Sequence, residues 1–417
     1  MTTTLTSPRP QTLSHTAWRR VAAAMFVIGW GGNQFTPLLM VYRDHDGYSQ
    51  VDVDVFLGAY VVGLIPGLLI ASALSDQRGR RPVMIGGLVC SVLGSLLLAA
   101  GSGLGYPGIF AGRAFGGAAV GVAMAVGSAW VTELSAADPT LSPGAGARRA
   151  TLWLTAGLAL GPASAGLLAQ FARPALLWPF AVHVVLCLPA TAALLTAHNA
   201  ETVRPAGDVR DAGTGGLLRR LRVPAAGHRR FLHVVMPMAP WIFGSAGIAY
   251  AIVPQLVDGA LGDRALLFTA ALTVATLGTG VLVQPIARRL DHVSTARAVV
   301  VSMLVMTAGV VMAAVTAAAG SPWLAVPVAL LLGAAYGIAV VSGLLEVQRI
   351  AGPDELAGLT GVYYALAYVG FLLPAALAWL STWFGYPLML AVVAAVCLLC
   401  TVVTASGWAR HLPSRAE

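Results

Sequence analysis

Inside the long apolar runs of this 417-residue chain, very few side chains stand ready for chemistry. A charge at mid-bilayer costs about 2.5–3.5 kcal/mol on an insertion scale, so each one calls for a reason. Arg113 is the main case, placed about one to two turns inside the run Gly108–Val131. A guanidinium keeps its charge, so it either grips neighbouring groups, attracts an anionic substrate, or snorkels to the boundary as an anchor. Asn33 and Gln34 lie at matching depth in the first run, and their amide oxygens are expected to accept from it. That run has no acid between Trp18 and Met40; the nearest candidates for titration are Asp52 and Asp54, which also fit the first turn of a helix. His183 has a suitable imidazole, but a lone histidine on an apolar helix reads as a packed residue. Cys397 and Cys400 have CxxC spacing without a nearby histidine or carboxylate, and with Cys90 and Cys187 they read as small packing residues. Gly101-Ser-Gly-Leu-Gly105 looks like a nucleotide loop but follows no strand. No nucleophile–base pair or metal cluster emerges, so neither an enzyme nor a cofactor is expected.

The elements that position these residues follow from composition. The chain is 58% hydrophobic and 10% charged, with mean hydropathy +0.79. Soluble domains carry about 25% charged residues, so a polytopic membrane protein is expected, in contact with the lipid bilayer. The net charge of +8 comes wholly from arginine. Without a lysine the chain cannot carry a Walker A loop of its own, which argues against a fused ATP-driven pump.

Twelve runs are long enough to span a bilayer. They are Trp18–Met40, Val53–Leu74, Pro82–Ala100, Gly108–Val131, Ala150–Phe171, Pro174–Thr196, Phe231–Val257, Ala265–Ala287, Ala298–Ala319, Trp323–Leu345, Leu359–Thr382 and Phe384–Trp408. This gives a tail at 1–17, a six-helix half at 18–197, a polar linker at 198–230, a second half at 231–408 and a tail at 409–417. With the N-terminus in the cytoplasm, only Arg43, Arg173 and Arg264 fall outside. That positive-inside pattern puts both termini in the cytoplasm and explains the basic charge without nucleic acid. The halves look like repeats: Arg81 and Arg297, Gly117 and Gly333, and Gly121 and Gly337 are each 216 apart, and Pro37 and Pro254 are 217 apart. Within the linker, Leu-Leu-Arg-Arg-Leu-Arg after Gly216 suits a short amphipathic helix on the membrane surface.

Between the second and third runs, Gly63 leads to a short charged turn, Ser75-Asp76-Gln77-Arg78-Gly79-Arg80-Arg81. It resembles the G-x-x-x-D-R-x-G-R-R loop of the major facilitator superfamily of secondary transporters. Asp76, Gly79, Arg80 and Arg81 match in register, while Ser72 replaces a glycine and Gln77 a basic residue. Arg113 and Gly117 match the family's helix-4 motif R-x-x-x-G, with Gly116 where glutamine is common. Gly157, Gly161, Pro162 and Gly166 match its antiporter motif G-x-x-x-G-P-x-x-G-G, with Ala165 for one glycine. The resemblance implies an all-α membrane protein with twelve transmembrane helices in two pseudo-symmetric six-helix halves, the major facilitator fold. It also implies a gate in which Asp76, Arg80 and Arg81 engage Glu133, with Asp76 also opposing the inner end of helix 11 after Asp354 and Glu355. Glu346 and Arg349 are weaker candidates for the gate or interfacial anchors, and the charged loop of the second half looks decayed. Trp241, Tyr250, Tyr336 and Tyr364 fall on helices that line the family's cavity, and Trp130 and Tyr368 join them.

The function expected is export of a small hydrophobic or amphipathic molecule by a cell-membrane monomer, in exchange for protons. The alternatives are uptake of an anionic metabolite with Arg113 as its ligand, and a non-transporting sensor on the same fold.

Overall fold

A computed structural model describes residues 16–136, 138, 140–141, 145–196, 223–352 and 355–410, with the side chains of Asp76 and Ala357 excepted. The amphipathic helix expected after Gly216 lies outside the described residues.

The described chain is a bundle of long apolar helices. The first, α1, runs Ala17–Asn33 and continues through a 3₁₀ turn, Thr36–Leu38, into an extension, Leu39–Asp46. Pro37 cannot donate a main-chain hydrogen bond, so the single run expected from the sequence is broken there. The others are α2 (Gln50–Arg78), α3 (Arg80–Ala99), α4 (Gly101–Ala136), α5 (Ala145–Phe171) and α6 (Leu177–Leu195) in the first half. The second half has α7 (Phe231–Ala260), α8 (Gly262–Leu290), α9 (Arg297–Ala319), α10 (Pro322–Ile350), α11 (Gly358–Leu380) and α12 (Tyr386–Ser406). Eleven of these are long and apolar enough to cross a membrane, and α1 with its extension is the twelfth.

Local chemistry sets the ends. Ser49 and Asp52 close a reciprocal capping box on α2, which satisfies donors that its first turn would otherwise leave bare. Gly79, at φ +89°, ends α2 and lets α3 begin at the next residue.

Two helix pairs show the repeat in register. A Cβ on Gly117 of α4 would lie 1.9 Å from the Tyr60 carbonyl oxygen of α2, and one on Gly333 of α10 would lie 2.3 Å from that of Thr276 on α8. Likewise Gly121 meets the Leu64 carbonyl and Gly337 the Gly280 carbonyl. All four pairs of equivalent positions are 216 apart, so the second half repeats the helix packing of the first. Only a missing side chain allows backbones this close.

Buried residues form two core clusters, one per half, and the first also takes in Tyr250, Leu277, Tyr368 and Phe371 from the second half. The halves therefore share a continuous apolar seam, where α2 lies against α11 and α5 against α8. Leu152, Leu160 and Leu167 on α5 and Leu388, Val392 and Leu399 on α12 are exposed. Such stripes suit lipid, in which exposed leucine carries no penalty.

Candidate functional site

Arg113 lies in the first half beside this seam and is 3% exposed. Small residues of α4 bring that helix against α2, and the side chain reaches across. Its Nε donates to the Phe56 carbonyl of α2 at 3.1 Å, and Nη1 donates to the Gly32 carbonyl of α1 at 3.2 Å. The guanidinium carbon stands 4.5 Å from the Phe35 ring centre and 4.9 Å from that of Tyr60, both within cation–π range. No carboxylate among the described residues forms an ion pair with it, and Nη2 makes no hydrogen bond to protein among them. Arg113 is therefore held inside the bundle rather than snorkelling, with one donor edge free.

The amides expected to accept from Arg113 do something else. Asn33 donates to the Leu158 carbonyl of α5 at 2.8 Å and accepts from Thr36, tying α1 to α5. Gln34 Nε2 donates to Ser95 of α3 at 3.1 Å, and its buried Oε1 has no partner. Ser95 also lies 2.7 Å from His183 Nδ1, and His183 Nε2 lies 3.1 Å from the Val27 carbonyl. Because a carbonyl only accepts, the proton must sit on Nε2, leaving Nδ1 to accept from Ser95. His183 is a packed, hydrogen-bonded residue joining α1, α3 and α6.

Rings make the contact between the halves. Phe243 of α7 stacks on Tyr368 at 4.0 Å and on Phe371 at 4.9 Å, both on α11, and meets Tyr336 of α10 at 5.7 Å. From the first half, Tyr60 approaches Tyr368 at 6.3 Å and Phe371 at 6.1 Å. Tyr60 thus touches both the guanidinium and the opposite half. Of the expected lining residues, Tyr336 and Tyr364 border both core clusters, and Tyr250 borders a narrow crevice that also meets Arg43 and Gln255. Trp241 is buried in the second-half cluster, and Trp130 in the first-half cluster that also takes in Tyr250, Tyr368 and Phe371. Phe243 and Phe371 were missed, since a phenylalanine in an apolar run carries no signal of its direction.

One face of the bundle gathers the start of α1, the α2–α3 turn and the end of α6; we refer to it as the terminal face. There Arg80 grips Glu133 of α4 with Nη2 to Oε1 at 2.8 Å and Nε to Oε2 at 3.5 Å, while Nη1 donates to Ser75. Arg81 does not join Glu133; it caps α6 by donating to the Leu194 and Leu195 carbonyls. The Asp76 side chain and Asp354 lie outside the described residues. Glu355 accepts from the Ala225 main-chain N–H at 3.2 Å.

The second half carries its own lock rather than a decayed loop. Arg349, 216 residues after Glu133, donates to Asp291 beyond α8 and to Glu346 at 3.1 Å. Arg230 adds a bidentate grip on Glu346 at 2.6 and 2.8 Å and donates to the Arg410 carbonyl at 3.1 Å. Glu346 is the buried centre of this network, and Arg349 and Asp291 stand at its partly exposed edge. Arg230 was read as linker because it sits in a run of arginines; it begins the packed core instead.

The opposite, distal face has one cross-half ion pair among the described residues: Arg43, beyond α1, meets Asp258 of α7 at 2.8 Å. Sequence could have offered this pair, because the ends of α1 and α7 are equivalent in the repeat. Asp52 serves the capping box, whereas Asp54 is turned inward and buried, accepting from Gln50 at 2.9 Å.

The antiporter-like glycines define two contacts. A Cβ on Gly157 would lie 2.0 Å from the Phe26 carbonyl, and one on Gly161 would lie 2.3 Å from that of Trp30, so both seat α5 on α1. Pro162 follows inside the helix, and Gly166 faces Ala270 of α8, across the seam.

The family model described as Major Facilitator Superfamily matches residues 21–373. No curated protein matches the sequence. Among solved structures, a POT family transporter in complex with 5-aminolevulinic acid is similar at TM-score 0.71 and 11% identity, over 94% of this chain and 95% of that one. The nucleoside transporter NupG is similar at the same TM-score and identity, over 94% of this chain and 99% of that one. Identity this low speaks to the fold alone, but the family match spans most of both halves. The chain belongs to the Major Facilitator Superfamily, and the fold is that of a multi-pass membrane transporter.

Proposed function

We propose that the chain exports a small hydrophobic or amphipathic organic molecule in exchange for protons, by alternating access between its two halves. The observation that carries this reading is the aromatic seam: Tyr60 links the Arg113 guanidinium to the Tyr368–Phe371–Phe243 stack of the other half. Surfaces of rings almost free of charge suit such molecules once the halves part. The arginine count favours a cytoplasmic terminal face, with both chain ends inside. On that reading Arg80 and Glu133 brace the inner side and Arg43 and Asp258 close the outer one. Gly157, Gly161, Pro162 and Gly166 support exchange, because α5 meets α1 and α8 along small surfaces suited to rocking.

A second reading, uptake of an anionic metabolite, is favoured by Arg113 itself, which among the described residues has no counter-ion and no partner for Nη2. Retention of a diverse compound panel in an efflux-deficient bacterium tests both. Cells would express the intact chain or Phe243→Ala, with and without a protonophore. The export reading expects lower retention with the intact chain only, lost on uncoupling. Higher retention of anions, abolished by Arg113→Ala, would transfer support to uptake. Unchanged retention of every compound would leave neither.

A further inference from the structure

An unbroken line of hydrogen bonds joins the ion pair of the distal face to a buried carboxylate. Arg43 Nη2 donates to Asp258 Oδ2 at 2.8 Å, and its Nη1 donates to Gln50 Oε1 at 3.4 Å. Gln50 Nε2 then donates to Asp54 Oδ2 at 2.9 Å. Asp54 is 0% exposed, and its Oδ1 has no hydrogen-bond partner. Gln50 and Asp54 are one turn apart on α2, whereas the Arg43–Asp258 link crosses between halves.

The groups around Asp54 are few. Gln255 of α7 lies alongside without closing a bond to Oδ1, and Arg43, one amide removed, also holds the exposed Asp44 through Nε at 2.8 Å, a contact that does not cross between the halves. At the start of α12 the buried Tyr386 hydroxyl likewise has no partner among the described residues. Arg113 of α4 is occupied by the Phe56 and Gly32 carbonyls, and Asp52 by Ser49. A carboxylate with one neutral donor and one unmet oxygen is poorly supported as an anion away from water. The same carboxyl group carrying a proton needs no counter-ion and leaves Arg43 free to hold Asp258.

We propose that Asp54 is a proton-binding site tied to the Arg43–Asp258 contact, so that closing the distal face takes up one proton and opening it releases one. Water reaching an opened face stabilises the ionised carboxylate, which then draws Arg43 toward Gln50 and away from Asp258. Proton uptake on the Asp54 oxygen removes that pull, and the halves close. The proton comes from solvent on the distal face, and no other group need change charge. This deepens the transport reading by naming where the exchanged proton first binds. Its test needs neither a substrate nor a direction of transport, so the two can fail separately.

Spin labels on His45→Cys and Ala260→Cys, both at exposed positions of the distal face, would report its opening in full-length protein in nanodiscs. The four native cysteines would be replaced. Acidification is expected to raise the closed-to-open ratio by up to tenfold per pH unit, levelling off once the open form is also protonated. Asp54→Asn is expected to stay closed with no pH response. Asp54→Glu, which keeps an ionisable group should the asparagine variant fail to fold, is expected to respond with a displaced midpoint. An intact chain whose distance does not change with pH would overturn the proposal. So would an Asp54→Asn chain with the intact slope, or an Asp54→Glu chain with an unmoved midpoint.

Discussion

Removing Glu346 tests whether the second-half lock is a buried structural charge or a surface ornament. Both side chains of its main pair are nearly inaccessible, Arg230 at 0% and Glu346 at 1%. Glu346→Ala deletes three charge-assisted bonds, two from Arg230 and one from Arg349. Arg349 keeps Asp291, so it is not stranded. Arg230 keeps only the Arg410 carbonyl and becomes an uncompensated buried cation. Breaking a buried pair in this way costs about 3–5 kcal/mol. Arg349→Ala should cost less, about 1 kcal/mol, because Glu346 keeps Arg230 and Asp291 is partly open to solvent. The paired change Arg230→Met with Glu346→Leu should recover most of the loss, since apolar residues of similar volume remove both charges together. Reversible unfolding in mixed detergent micelles, followed by tryptophan fluorescence, would rank the three variants. A Glu346→Ala cost below that of Arg349→Ala, or a double variant no better than the single, would refute the reasoning.

Four further outcomes are expected, three from the geometry and that for Asp76 from the loop motif. Gly161→Leu, whose Cβ alone would meet the Trp30 carbonyl at 2.3 Å, should separate α5 from α1; cross-linking between the two helices and thermal stability should both fall, by about 1–3 kcal/mol in the latter. Arg113→Lys should not rescue transport in a vesicle flux assay, because an ammonium lacks the planar fork that spans the Phe56 and Gly32 carbonyls between two rings. Asp76→Asn should abolish flux with normal membrane levels on immunoblot. Arg80→Gln should do the same while lowering stability by only about 0.2–1 kcal/mol, because the Arg80–Glu133 pair is partly exposed.

The repeat was legible because it rests on residue types that report backbone proximity. Glycine at 117 and 333, and again at 121 and 337, marks places where no side chain fits, and its spacing survives between halves. Depth along a helix was legible as well, which is why Asn33 and Gln34 were set at the level of Arg113. Rotation about the helix was not. Asn33 and Gln34 turn to α5 and α3, and the arginine takes the main-chain oxygen of Gly32 instead. Apolar runs with little amphipathic contrast leave the facing of each side chain to its neighbours, so the Phe243–Tyr368 stack could not be read. Charge was misleading where polarity changed. The second-half loop looked eroded because Ala296 stands where Arg80 does and His292 where Asp76 does, although Arg297 still matches Arg81; yet Asp291 and Arg349 join the loop after α8 to the end of α10.

That exchange of signs constrains how the two halves diverged. In the first half the cation stands at the loop and the acid at position 133; in the second the acid stands at the loop and the cation at position 349. If both descend from one duplicated ancestor, no single substitution converts one arrangement into the other. At the 216-residue spacing Asp291 corresponds to Ser75 and Arg80 to Ala296, so the two loop charges stand at different positions, and an acid gained at position 75 would first meet Arg80, which already donates to Ser75. Arg230 holds Glu346 without help from that loop, so α10 stays fastened whichever charge the loop carries. A chimera built from two copies of either half would pair each loop with its own helix and remain electrostatically balanced. Exchanging the loops alone would place arginine against arginine on one side and acid against acid on the other.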